Sequence, residues 1–230
     1  MKVSIAIPVY EMRGRGVYFL DESLKRIKCQ DFSDIEVVIS DHSQNDDLKN
    51  LCEGFKKDLD IRYLKNEEQK GNSSYNLNMA ISNCQGEIIK FMMQDEYLYS
   101  SNAISIIHDI FLDRDVKWCA TSCYYGNSVD AVKGRVDPFY NKDMVKGVNT
   151  IGSPSVVSVR NDVIKYFDTQ FIWVMDCDYY IRMYNDYGSP VIIKEPLIFV
   201  NQHEDQVSSW LSNEIKKKEH DLLEKKYYNE

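Results

Sequence analysis

Apolar residues along this chain gather in short runs of strand length, separated by segments of helical period. Val3 to Tyr10, Ile35 to Ser40, Ile61 to Leu64 and Glu87 to Met93 form such runs. Between them the apolar positions recur three and four apart: Val17, Leu20, Leu24 and Ile27, then Leu48, Leu51, Cys52 and Phe55, then Leu77, Ala80, Ile81 and Cys84. That spacing puts each set on one face of a helix. Strand and helix alternating at about 30 residues is the rhythm of βαβ units. The strands are expected to run parallel with right-handed crossovers, so that their carboxyl ends share one edge of a sheet.

Three polar clusters fall on that edge: Pro8, Val9 and Tyr10; Asp41, His42 and Ser43; Gln94, Asp95 and Glu96. Ligands of open α/β sheets bind there. The third cluster stands out because the apolar run KFMM ends abruptly in two adjacent carboxylates. Acidic groups on a rigid strand end can hold a divalent cation, and a cation can hold a diphosphate. A solvated turn with two surface acids is the plainer reading of the same residues. A further helix with Ala103, Ile106, Ile107, Ile110 and Phe111 follows, which closes a first half near Asp115.

The second half is less regular. Strands are expected at Lys117 to Tyr125 and Ser155 to Val159, with a polar stretch from Asn127 to Asn149 between them, and KGVNTIGSPS (146–155) reads as a loop. Asp176, Cys177 and Asp178 open a helix that ends at Gly188. Acids suit a helix start because of its dipole, so capping is the simple account of this pair. Two short strands, Val191 to Ile193 and Leu197 to Val200, lead to NQHEDQVS. From Ser209 to Glu230 the pattern is a charged helix with Trp210, Leu211, Ile215, Leu222 and Leu223, whose apolar face can dock on the domain, pair with another chain or lie on a membrane. Mixed acids and bases along it favour docking.

Composition narrows the classes. A length of 230 residues with 43% hydrophobic content fits one domain with a sizeable core. The net charge of −8, from 36 acids against 28 Lys and Arg, argues against a broad nucleic-acid surface. A phosphorylated ligand stays open, because a metal can neutralise it. The six cysteines include no CxxC pair and no zinc-finger spacing, so neither a zinc site nor a disulfide framework is indicated and a cytoplasmic setting is expected. The opening MKVSIAIPVYE is too short an apolar run for a signal peptide, and no run of about 18 apolar residues occurs. A soluble or at most peripheral membrane protein is expected.

The strings VSIAIPVYE, VVISDHSQND, QKGNSSYNLNMAI, GEIIKFMMQDE, WVMDCDYYIRM and NQHEDQVS resemble, in order and spacing, a family-2 glycosyltransferase of the GT-A fold. The resemblance implies an α/β fold: a single GT-A domain over 1–208 with a Rossmann-like, mostly parallel central sheet flanked by helices. Its nucleotide-binding half would be 1–115 and its acceptor-binding half 116–208, followed by a C-terminal helical tail, 209–230. It implies a nucleotide-diphosphate sugar donor, a hydroxyl of a glycan or other acceptor, and inversion at the transferred sugar. By the same resemblance Pro8, Val9 and Tyr10 wall the nucleoside and Asp41 bonds the base or ribose. Lys70, Asn76, Asn78 and Gln94 lie near the nucleotide, and Asp95, with His203, holds Mn2+ or Mg2+. Asp176 is the catalytic base, and Ser153, Trp173 and Asp178 lie on the acceptor side.

Two places depart from the family pattern. Met93 stands where the first acid of Asp-x-Asp is usual, and Ser40 and His42 stand where an acid and a Gly are common. Met93 keeps a second reading open, a noncatalytic sugar-nucleotide or glycan-binding module with a degenerate metal site. A nucleotidyltransferase would need a Gly-rich basic phosphate loop after the first strand. EMRGRG supplies Gly14, Gly16, Arg13 and Arg15, but not at P-loop spacing.

Overall fold

The structure, a computed structural model, describes residues 1–204, 206, 209 and 211–228. Asp205, Val207 and Ser208 of the NQHEDQVS segment, and Trp210 of the expected apolar face, lie outside the described residues. Strands β1 (Val3–Val9), β2 (Ile35–Asp41), β3 (Asp60–Lys65) and β4 (Ile88–Phe91) pair in parallel in the order β3-β2-β1-β4. Helices α1 (Gly16–Lys28), α2 (Asp47–Phe55) and α3 (Ser73–Ser82) make the crossovers. Every residue of β1 and β2 is buried, as expected of strands covered on both faces. Val9 lies opposite Asp41 and Asp41 opposite Lys65, so the strand ends line up along one edge.

Beyond β4 the sheet is mixed. It continues through β8 (Val157–Arg160), β6 (Trp118–Ser128), β9 (Val191–Asn201) and β5 (Glu96–Leu98), while β7 (Ala131–Val136) pairs with β6 alone. Helix α4 (Ala103–Ile110) follows β5, and α5 (Met175–Tyr187) precedes β9. An aromatic cluster seats α5: Tyr179 stacks on Phe167 at 4.4 Å and meets Phe91 edge-on at 5.4 Å.

Several sequence expectations are corrected here. β4 stops at Phe91 rather than Met93, and Glu96 belongs to a new strand, antiparallel to β9, instead of the strand end. The two short strands before NQHEDQVS are one strand, β9. Pro196 lacks an N–H for the ladder, and the register slips where it faces Ser122, which broke the pattern in sequence. The polar stretch 127–149 contains β7, whose residues are almost all exposed and so carry no alternation to read.

The C-terminal helix α6 (Asn213–Tyr228) docks on the fold through Glu219 and Leu223, both buried, and leaves Ile215 and Leu222 exposed. No helix among the described residues is long and apolar enough to cross a membrane.

Candidate active site

The residues expected to wall the nucleoside lie at the ends of β1 and β2. Val9 O accepts from His42 N (2.9 Å) and from Asn76 Nδ2 (3.1 Å), and Asn76 Oδ1 accepts from Ser40 Oγ at 2.7 Å. Gln94 clamps the chain after β1: its Oε1 accepts from Tyr10 N and its Nε2 donates to Gly16 O, each at 2.9 Å. Only glycine fits at position 16, since a Cβ there would meet Tyr10 O at 2.4 Å. Pro8 is buried in β1 opposite Ser40.

Asp41 is not the solvent-facing acid that its strand-end position suggested. It is fully buried, with Oδ1 accepting from Ser43 N at 2.7 Å and from Ser43 Oγ, and Oδ2 accepting from Tyr63 OH. Burial, reinforced by that bond, pushes the Tyr63 hydroxyl well above its usual range. Asp41→Ala strands these donors, at a cost of about 1–3 kcal/mol. Its urea midpoint is expected to fall below that of the wild type; an unchanged midpoint would show that the network carries no stability.

Beside Asp41, His42 is buried with its Nε2 lacking any partner among the described residues. Burial pushes its pKa down, so the ring is neutral at pH 7. Lys70 stands at the margin of this cluster, close enough for its charge to lower the His42 pKa, while Asn78 lies outside it. Lys70 pairs with Glu67 at 2.7 Å on an exposed turn, and Asn78 exchanges bonds of 2.8 Å with the backbone N and O of Phe167.

Asp95 sits in the turn between β4 and β5, and its Oδ2 lies 2.7 Å from His203 Nε2. Both side chains are largely covered, and Phe19 stacks on the His203 ring at 4.5 Å. A carboxylate oxygen and an imidazole nitrogen in contact can turn toward one cation, so the pair fits a divalent metal completed by diphosphate oxygens and water. Among the described residues no third His, Cys, Asp or Glu joins them. Glu96 is turned away and bonded to Ser153 Oγ at 2.5 Å, and burial pushes its carboxyl up. Ser153, expected on the acceptor side, is therefore engaged with Glu96.

The pair Asp176 and Asp178 separates cleanly. Asp178 is fully buried, accepting from Arg182 Nε (2.8 Å), Lys226 Nζ (2.7 Å) and Tyr227 OH (2.7 Å). Its expected place on the acceptor side is corrected: it fastens α6 to α5. Asp176 is partly exposed and keeps lone pairs unused, with Oδ1 accepting from Cys177 N (2.7 Å) and Oδ2 from Asn149 Nδ2 (2.5 Å). Desolvation pushes its carboxyl up to about 6.

Asp178 does not cap α5, whereas Asp176 holds one donor of its first turn through the bond from Cys177 N. The backbone N–H groups of Ile172, Trp173 and Val174 all donate to the Glu219 carboxylate of α6, at 2.7–3.2 Å. The tail thus holds the segment that leads into the helix of Asp176, including the N-cap donor at Val174. Trp173 Nε1 donates to His220 Nε2 at 2.9 Å, and Lys216 lies over its ring, so this side chain too is tied to α6.

Sequence reasoning missed Tyr63, Asn149, Glu219 and Lys90. Only Lys90 left a trace, as a charge inside the apolar run of β4. It is fully buried, donates to Ser155 O, and is pushed down to about 7 by burial.

The sequence matches the family described as Glycosyl transferase family 2 over residues 4–149, more than half of the chain. It is 31% identical over 100 residues to GalNAc(5)-diNAcBac-PP-undecaprenol beta-1,3-glucosyltransferase of Campylobacter jejuni, a stretch covering 43% of this chain and 31% of that protein. It is 27% identical over 114 residues to Glycosyltransferase GlyG of Streptococcus pneumoniae, covering 49% of this chain and 36% of that one. The matches thus span about a third of these relatives' lengths. In structure it resembles S. aureus TarS 1-349 in complex with UDP-GlcNAc, with a TM-score of 0.70 at 16% identity, covering 100% of this chain and 72% of that one. Mannosyltransferase PcManGT from Pyrobaculum calidifontis, in complex with GDP-Man and Mn2+, gives a TM-score of 0.64 at 16% identity, covering 91% of this chain and 59% of that one.

Proposed function

This chain belongs to glycosyl transferase family 2, and from that premise we propose that it moves a sugar from a UDP-sugar to a hydroxyl of a glycan or other acceptor, with inversion and with Asp176 as general base. UDP is preferred because UDP-GlcNAc is the donor bound in one of the similar structures. The observation that carries the reading is the state of Asp176. Its side chain stands partly exposed at the start of α5, held by Asn149 and by Cys177 N and paired with no cation among the described residues. With its carboxyl at about 6 it is mostly ionised at neutral pH, yet more basic than an ordinary Asp, as a general base requires.

In the reaction, the acceptor O–H gives its proton to Asp176 as its oxygen attacks the anomeric carbon. The bond from that carbon to the diphosphate breaks on the opposite face, and the diphosphate leaves with the electron pair. The β1 and β2 ends hold the nucleoside, and the Asp95 and His203 pair faces the diphosphate. A divalent metal bound by that pair would offset the charge that gathers on the leaving group. The Campylobacter relative is named for a lipid diphosphate-linked acceptor. An acceptor of that kind would bring this chain to a membrane surface.

The test is release of UDP from UDP-glucose and UDP-GlcNAc, with Mn2+ and candidate glycan acceptors. Acceptor-stimulated release supports transfer, and binding of a donor without any release would instead identify a noncatalytic module. Metal use is checked separately by calorimetry of UDP. Affinity in wild type is expected to rise at least tenfold with Mn2+, and in Asp95→Ala to be unmoved by it. An equal metal effect in both proteins would remove Asp95 as a ligand.

A further inference from the structure

The Asn149 side chain has two N–H groups and two acceptor lone pairs, and the fold uses all four. Its Oδ1 accepts from Ile151 N (3.0 Å) and Gly152 N (2.9 Å), while Nδ2 donates to Gly152 O (2.8 Å) and to Asp176 Oδ2 (2.5 Å). Reversing the amide would set its oxygen against a carboxylate and a carbonyl, and its N–H groups against two backbone donors. The loop therefore fixes which way the amide faces. Tyr180 OH, on α5, donates to the same Gly152 O at 3.1 Å, which locks the loop to the helix that carries Asp176. Gly152 has φ +120, a conformation that favours glycine, so the turn is built to present Asn149 in this way.

Among the described residues Asn149 is the only side chain from outside α5 that bonds Asp176, and no cation pairs with the carboxylate. The titratable groups around it are Cys177 and Tyr180 on its own helix, both pushed up by burial, and Glu96 on β5 beyond Tyr180. None of these supplies positive charge. We propose that Asn149 is the positioning residue of the general base: the one N–H that the loop leaves over fixes the Asp176 carboxylate and supports its ionised form. This rests on the reading of Asp176 as the base.

Cys177 bonds the carboxylate through its N–H on Oδ1 and through its thiol, while Oδ2 takes the bond from Asn149 and keeps a second lone pair for the acceptor's proton. Desolvation disfavours the carboxylate and the Asn149 bond opposes it. Asn149→Asp isolates that bond. An Asp at this position still accepts from Ile151 N and Gly152 N and so keeps the turn, but it has no donor for Asp176 and adds a second negative charge beside it.

The experiment is a carbon NMR titration of the protein labelled at its Asp carboxyls, with the Asp176 resonance assigned by its loss in Asp176→Asn. It is paired with the pH dependence of UDP release from UDP-GlcNAc. The titration of the carboxylate pair in Asn149→Asp is expected to place its upper midpoint at least one pH unit above that of Asp176 in wild type. At pH 6 the rate of release is expected to fall about fivefold or more, with partial recovery at pH 8, while UDP affinity stays within twofold.

Asn149→Ser, which keeps a loop acceptor, serves as the second variant should Asn149→Asp not fold, with the same upward direction. An unmoved midpoint, or a rate lowered by one factor at every pH, would overturn the proposal and leave Asn149 a loop residue. Should Asp176→Asn itself keep its rate, the base reading fails, and the titration still decides whether Asn149 holds the carboxylate.

Discussion

Asp176→Asn is expected to lower glycosyl transfer by about a hundredfold to ten-thousandfold, the usual loss when a general base is removed. An amide cannot take the acceptor's proton. The helix should lose little, because an Asn there can still accept from Cys177 N and Glu219 still holds the N–H groups that lead into the helix. UDP affinity is expected to stay near the wild type, since the β1 and β2 ends and the Asp95 turn are untouched.

The pH dependence gives an independent check. With the folded carboxyl at about 6, the wild-type rate should fall as pH drops below about 6 and level off above it. The sign for stability is the reverse. A carboxyl raised on folding favours the folded state only while protonated, so its contribution is lost as pH rises through about 6. Asp176→Asn has no such group, and its melting temperature at pH 7.5 is expected to exceed that of the wild type. A variant that keeps most of its transfer rate would remove Asp176 as the base.

Asp178→Ala is expected to have the largest effect on stability, about 3 kcal/mol. Removing a fully buried carboxylate leaves Arg182, Lys226 and Tyr227 without their shared partner, a kind of loss worth about 3–5 kcal/mol. The low end applies because Arg182 and Lys226 are partly exposed and Lys226 keeps Asp168 at 2.8 Å. In a chain of this size the melting temperature should fall by about 6–12 °C. Limited proteolysis should cut α6 earlier than in wild type, because the lost bonds tie that helix down. At a temperature where the variant is folded, its transfer rate should stay within a few-fold of wild type. Normal stability with lost transfer would return Asp178 to the acceptor site.

These two acids show where the sequence stops being informative. Asp176 and Asp178 carry the same local signal, two carboxylates at the start of a helix. Residues two apart on a helix face different directions, so one stays partly exposed beside Asn149 and the other reaches the buried α6 contact. Which is which depends on where α6 packs, and nothing near position 176 encodes that. The same holds for Asp41: its place at a strand end was legible, but its burial under Tyr63 follows from the pairing of β2 with β3.

Period and punctuation settled the alternation of strand and helix over the first 110 residues, the shared carboxyl edge, and the arrival of Asp41, Asp95 and Asp176 at element ends. Such features are set by neighbours two to four residues apart, which a sequence displays directly. The tertiary structure alone decided the contacts that give those acids different roles. His203 meets Asp95 across 108 residues, Glu219 holds the segment leading into the helix of Asp176 from 45–47 residues away, and Asn149 reaches Asp176 across 27. A hydrogen bond depends on a few tenths of an ångström and on direction. Over such separations those are fixed by the path of the loops and the packing of the core, and no local pattern in the chain records them.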